Sequence, residues 1–141
     1  QYAGTSLSSI NQFLLAGPTR ARAYPVNQFS ADNAFYTGVD WMFDAPAFFD
    51  MPVGGSNVRH IVHPFVFMDA AWGETLSLVE GQVDLTAQLL NAGFGFQFTY
   101  LIKFHGNLQF AIPVDENFSS TDINTLDESF RLVFDFQYIF R

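Results

Sequence analysis

Large aromatic side chains recur at every second residue over long stretches of this chain, and no other feature restricts its possible folds as much. From Ala87 to Phe104 one set holds Leu90, Ala92, Phe94, Phe96, Phe98, Tyr100, Ile102 and Phe104. The alternate set holds Asn91, Gly93, Gly95, Gln97, Thr99 and Lys103, broken only by Leu101. The C-terminal stretch repeats this, with Phe130, Leu132, Phe134, Phe136, Tyr138 and Phe140 against Ser129, Arg131, Asp135 and Gln137; Val133 and Ile139 are exceptions. Successive side chains of a strand point to opposite faces, whereas a helix would scatter these rings round its circumference. Both stretches are expected as strands with one apolar and one polar face.

Three further segments follow the same rule less strictly. Phe35, Thr37, Val39, Trp41 and Phe43 oppose Tyr36, Gly38, Asp40, Met42 and Asp44. Val62, Pro64, Val66, Met68, Ala70 and Trp72 oppose Ile61, His63, Phe65, Phe67 and Asp69, while Leu108, Phe110, Ile112 and Val114 oppose Asn107, Gln109 and Ala111. A shorter strand is expected over Asn11 to Ala16. Pro64 has no N–H to give and is expected to interrupt its ladder at a bulge. His105-Gly106-Asn107 is expected as a tight turn. Gly17 to Asn33 and the acidic stretch Asp115 to Glu128 are expected as long loops, with the Pro- and Gly-containing stretch Ala45 to Asn57 between them.

Alternation by itself does not separate a membrane barrel from a soluble sandwich, because both have one apolar and one polar face. The length of the apolar rows and their content favour the barrel. Eighteen phenylalanines contribute to 18% aromatic residues, while charged residues make up 14%, well under the usual quarter. No run approaches the ~18 apolar residues of a spanning helix, so the hydrophobicity is distributed by alternation. The strands, at roughly 9–14 residues, suit a tilted bilayer crossing, where sandwich strands average about 5–6. Five full strands and part of a sixth are expected, fewer than the roughly eight of the smallest single-chain barrels. The chain opens on Gln1 and is expected to be a fragment or processed piece, residues 1–141 forming part of a larger barrel whose remaining strands come from the same or another chain. A soluble β-domain is the alternative.

The net charge of −8, without a basic stripe, excludes nucleic acid as a partner. The absence of cysteine excludes disulfides and thiolate metal sites. Asp40, Asp44, Asp69 and Asp135 read as wet-face residues rather than a catalytic pair. His60, His63 and His105 lack the spacing of a metal set. Gly93-Phe94-Gly95 lies within a strand and is no phosphate loop. No catalytic residue, metal or cofactor is expected, and the chain is not expected to be an enzyme. One constellation stands out. Gly17-Pro18-Thr19-Arg20-Ala21-Arg22-Ala23-Tyr24-Pro25 is basic and aromatic within an acidic chain. Phe67 and Asp69 share the wet face of a later strand, and an arginine inside a barrel needs a carboxylate. The loop is therefore expected either to enter the lumen and lock Arg22 to Asp69 or to be a solvated surface loop.

The run Gly17-Pro18 to Arg22-Ala23-Tyr24-Pro25 resembles the signature loop of two-partner secretion transporters of the haemolysin-activator type. Phe67-Met68-Asp69-Ala70-Ala71 resembles their Phe-x-Asp-x-Gly strand motif, and Gly93-Phe94-Gly95 the Gly-x-Gly of the next strand. Phe134-Asp135-Phe136-Gln137-Tyr138-Ile139-Phe140 resembles the aromatic-ended C-terminal signal read by the outer-membrane assembly machinery. Ala23 and Ala71 stand where glycine is usual, and Arg141 follows Phe140. The resemblance implies an all-β, antiparallel transmembrane β-barrel of sixteen strands, of which this chain is the last five to six, in the outer membrane of a Gram-negative bacterium. It implies a lumen loop over about 17–33 carrying Arg22, Ala23, Tyr24 and Pro25. It implies barrel-wall partners Phe67, Asp69, Gly93 and Gly95, and an assembly signal of Phe136, Tyr138 and Phe140. The implied activity is protein transport: export of a large secreted protein substrate across a lipid bilayer. An assembly insertase of the same superfamily and a passive porin-like barrel are the alternatives.

Overall fold

The computed structural model describes residues 1–26, 29–77, 83–101, 103–119 and 129–140. In chain order the elements are β1 (Phe13–Leu14), β2 (Ser30–Ala31), β3 (Asn33–Met42), a 3-10 turn (Ala47–Phe49), β4 (Pro52–Val53), β5 (Ser56–Asn57), α1 (Val58–Ile61), β6 (Val62–Thr75), β7 (Leu85–Tyr100), β8 (Phe104–Phe118) and β9 (Arg131–Tyr138). The protein is all-β. Its main sheet has five antiparallel strands in the order β3-β6-β7-β8-β9, a meander of sequence neighbours. Among the described residues this sheet is open: β3 and β9 are each paired along one edge. No helix among the described residues is long and apolar enough to cross a membrane, which says nothing of crossing by strands.

The register aligns the alternating residues across all five strands. Trp41, Val66, Phe94, Phe110 and Leu132 form one continuous row, and its ring pair Phe94–Phe110 stacks with centroids 4.9 Å apart. On this face Val39, Trp41, Val66, Met68, Phe94 and Phe134 are exposed. The row behind it on the opposite face reads Asp40, Phe67, Gly93, Ala111 and Arg131. That face is covered by residues 15–26 and 29–32. Leu15, Ala16, Ala21, Ala23, Tyr24 and Phe29 are buried there with Phe65, Phe67, Leu89 and Ala111 of the sheet. The core is thus the interface between one sheet face and one loop.

Three boundaries and the bulge expected at Pro64 differ from the sequence reading. The tight turn lies at 101–103, not at His105-Gly106-Asn107: Leu101 takes φ 51°, Lys103 N–H donates to the Tyr100 carbonyl at 3.2 Å, and Tyr100 pairs with Phe104. A three-residue turn between paired residues preserves parity, so the aromatic alternation runs through it unbroken. Gly106 sits inside β8, where a Cβ would meet the Phe136 ring at 2.6 Å. The acidic stretch does not leave the sheet at Asp115, since β8 continues to Phe118; residues 120–128 of the expected loop lie outside the described residues. Here the register shifts between Leu90 and Asn91, Asn91 facing Pro113 and Leu90 facing Asp115, which leaves Val114 as a bulge and masks the alternation. Pro64 makes no bulge. Its carbonyl accepts from Phe43 N–H at 2.9 Å, so its missing N–H points the same way, past the end of β3 at Met42, and the ladder to β7 runs unshifted through Pro64–Phe96. The expected strand over Asn11 to Ala16 contracts to Phe13–Leu14, paired only with Ser30–Ala31.

Candidate functional site

The sheet face under the loop holds a nearly dry polar centre. Asp69, in mid-β6, is fully buried, and its carboxylate is surrounded by donors. Tyr36 Oη donates to Oδ1 at 2.9 Å and Asn91 Nδ2 to Oδ2 at 3.0 Å. From the loop, Arg22 Nη2 donates to Oδ1 at 3.3 Å, its Nε lies 3.2 Å from Oδ2, and its backbone N–H donates to Oδ2 at 3.4 Å. Arg22 Nη2 also donates to Asp40 Oδ1 at 2.5 Å, and the guanidinium lies 4.1 Å above the Phe67 ring. One arginine therefore meets two carboxylates and a π face, the combination that a planar delocalised cation satisfies and an ammonium does not.

Backbone and small residues make this approach possible. Ala21 holds φ 40°, and Tyr24 N–H donates to its carbonyl at 3.0 Å, so the chain reverses and aims Arg22 at the sheet. Gly38 faces Asp69 in register; a Cβ there would lie 2.6 Å from Oδ1 and 2.4 Å from the Tyr36 hydroxyl. At Gly93 a Cβ would meet the Phe67 ring at 2.5 Å and the Phe110 carbonyl at 2.1 Å, and at Gly95 the Phe65 ring at 2.5 Å. The two glycines let the phenylalanine rings lie flat on β7, and the Phe67 ring then carries the guanidinium. Ala23 and Ala71, where glycine is usual in the resembling family, are both buried in the loop–sheet core, so their methyl groups are accommodated.

The electrostatics keep the arginine charged. Burial pulls its acidity towards the neutral form, but the Asp40 hydrogen bond and the fields of Asp69 and Asp40 outweigh it and raise the guanidinium above its ordinary value. Tyr24 follows a different route. Its hydroxyl donates to the carbonyls of Leu90 at 3.3 Å and Asp115 at 3.1 Å, at the bulge between β7 and β8. Burial, followed by the nearby charges of Glu116 and Asp115, pushes it up to about 12. Arg131 of β9 donates to the Tyr24 carbonyl. The loop thus touches every strand of the sheet.

Of the sequence-selected residues, Arg22, Phe67 and Asp69 come together, with Gly93 beneath and Tyr24 beside them. Pro25 is half-buried at the loop's exit, and Gly95 supports Phe65 rather than Phe67. Phe136 and Tyr138 lie on β9, Phe136 stacked on Phe104 at 5.9 Å, while Phe140 is past the strand end and 87% exposed. His60 is in α1, and His63 and His105 pair with Gln97 and Thr99 in separate rows. Four participants were missed: Asp40 as the second carboxylate, Tyr36 and Asn91 as donors, and Arg131. Asp40 has the right parity in sequence, but only the register sets it opposite Phe67. Asp32 was missed as well. Fully buried, it accepts from Leu7 N–H at 2.7 Å, Leu76 N–H at 2.8 Å and Gln12 Nε2 at 3.1 Å, tying the first residues and the loop base to the end of β6. Burial alone would raise its pKa, but these three donors hold the carboxyl below its usual range. Comparison with protein-family models, with curated proteins and with solved structures found no match, so a function for this loop-latched sheet is inferred from its residues.

Proposed function

We propose that this chain is part of the wall of an outer-membrane β-barrel that conducts an unfolded polypeptide, with the Arg22 loop as a latch on its inner face. The observation that carries this reading is the pairing of opposite faces on one sheet. One face is a continuous apolar row across all five strands, exposed at Trp41, Val66, Phe94 and Leu132, and the other holds a buried arginine locked to Asp69 by a loop that reaches every strand. Strands of 14, 16 and 15 residues in β6, β7 and β8 exceed the ~9–11 needed to cross a bilayer at a tilt. Lipid does not tolerate unpaired strand edges, so β3 and β9 call for further strands that complete a closed wall. Sixteen in total is the number the family resemblance implies. Beyond the loop, the inner face towards the 101–103 turn offers Gln97, Thr99, Asn107, Asp135 and Gln137. These are mostly neutral hydrogen-bonding groups that an extended chain can pass without being held by charge.

The test is Arg22→Ala, which keeps the strands and removes the latch. Export of the partner protein is expected to fall sharply while the barrel still inserts, read as folded, heat-modifiable protein in the outer membrane. Normal export by this variant removes the latch. Normal export together with failure of newly made barrels to assemble would instead favour the insertase reading.

A further inference from the structure

The two ends of the five-stranded sheet are built differently. The Arg22 loop, the end of β6 at Thr75, the start of β7 at Leu85, the end of β8 at Phe118 and the start of β9 at Arg131 lie at one end. The connection 43–61, the turn 101–103 and the last residues of β9 lie at the other. Residues 76–84 and 115–130 contain acidic groups and no lysine or arginine. The opposite end carries exposed Arg59 and Lys103, with His60, against Asp44 and Asp50.

The connection 43–61 is also far longer than joining two adjacent antiparallel strands requires; its neighbour at the same end is 101–103. It is well ordered by its own bonds. Gly54 and Gly55, at φ 55° and 82°, form a two-residue turn between β4 and β5, the geometry of a tight hairpin. Val58 N–H donates to the Met51 carbonyl at 2.9 Å, Asn57 Oδ1 accepts from Arg59 N–H at 3.1 Å, and Tyr100 Oη donates to the Gly54 carbonyl at 3.2 Å, fastening the hairpin to β7. Yet this braced structure leaves Phe48 71%, Met51 53% and Val53 49% exposed. It continues directly from the apolar face through Trp41 and Phe43, stacked at 5.6 Å. Further along the same end, Tyr138 and Phe140 pair at 4.7 Å.

We propose that the 43–61 connection is an interfacial foot, lying in the headgroup layer of the leaflet on its side of the bilayer. Phe48, Met51 and Val53 sink towards the acyl chains, and Arg59 and Lys103 sit on the phosphates of anionic phospholipid. This rests on the membrane reading above. Aromatic rings collect at the boundary between headgroups and hydrocarbon. A segment combining exposed apolar groups with cations gains both burial and attraction to an anionic surface.

The chain has no cysteine, so single Phe48→Cys and Val53→Cys variants can carry a nitroxide label. Val39→Cys on the apolar face and Val83→Cys at the acidic end serve as references. In the protein reconstituted into phosphatidylcholine vesicles, labels at 48 and 53 should collide with oxygen several-fold more, relative to a water-soluble nickel chelate, than the label at 83. Adding phosphatidylglycerol should deepen them, and Arg59→Gln with Lys103→Gln should abolish that response. Nickel access at 48 and 53 equal to that at 83, with 39 in lipid, overturns the foot and leaves the barrel standing. Water at both 39 and 48 overturns the membrane reading with it. Shielding of 48 and 53 from both collision partners means that protein covers them and overturns the lipid assignment.

Discussion

Asp69 and Asp40 both bond Arg22, yet their surroundings make them unequal. Asp69 is fully enclosed, whereas the Asp40 side chain is 45% exposed. Removing one partner of a buried pair strands the other charge and costs about 3–5 kcal/mol, while a half-exposed pair contributes about 0–1 kcal/mol. Asp69→Ala is therefore expected to lower the denaturant midpoint of the loop–sheet unit strongly and Asp40→Ala slightly, as read by equilibrium unfolding followed at Trp41 and Trp72. Equal losses would show that Asp40 is enclosed in the assembled protein. Gly93 supplies a steric counterpart. Gly93→Ala presses a methyl group into the Phe67 ring and the Phe110 carbonyl, and overpacking of this kind costs about 1–3 kcal/mol. Because the carbonyl cannot retract, Phe67→Leu in the same chain should restore only part of the loss.

At the scale of elements, the loop is held at two separated points, Arg22 on β3 and β6 and Tyr24 on the β7–β8 bulge, with Arg131 of β9 closing the far side. Tyr24 adds a pH dependence whose sign follows from its raised value. Between its ordinary 10.0 and about 12, the folded state keeps a proton that the unfolded chain has lost, so stability falls as pH rises through this window and is complete below it. Release of the loop, measured as protease cleavage near Ala23, is expected to increase from pH 10 to pH 12 and to lose this dependence in Tyr24→Phe. Asp32 works in the other direction: its lowered value contributes stability above the ordinary carboxyl range that is lost as pH falls through the folded value. The strands themselves were legible from parity, because a half-covered sheet has no other way to sort its residues. Their ends were not. A three-residue turn conserves parity and hides at 101–103, and a bulge at Val114 breaks parity and makes a strand resemble a loop.

Across the whole molecule, the proposed barrel predicts opposite tolerance on the two faces. Phe94 lies in the middle of the apolar row and Gln97 on the other face of the same strand. Phe94→Lys near a bilayer midplane costs about 2–4 kcal/mol and is expected to block folding into lipid vesicles, while Gln97→Lys is expected to fold normally. Equal tolerance of both would mean that the apolar face meets no lipid.

Alternation along the chain determined by itself that this protein is a sheet with an aromatic face and a polar face, and parity placed Phe67 and Asp69 together on the polar one. Side-chain direction in a strand is a local property of the backbone, so one chain suffices to read it. The tertiary structure alone decided that Asp40 lies level with Phe67, that Tyr36 and Asn91 converge on the same carboxylate, that Gly38 leaves the space they share, and that the loop crosses to β9. Each of these depends on register between strands and on a left-handed residue at Ala21, which are set by packing between distant segments and leave no periodic trace in sequence.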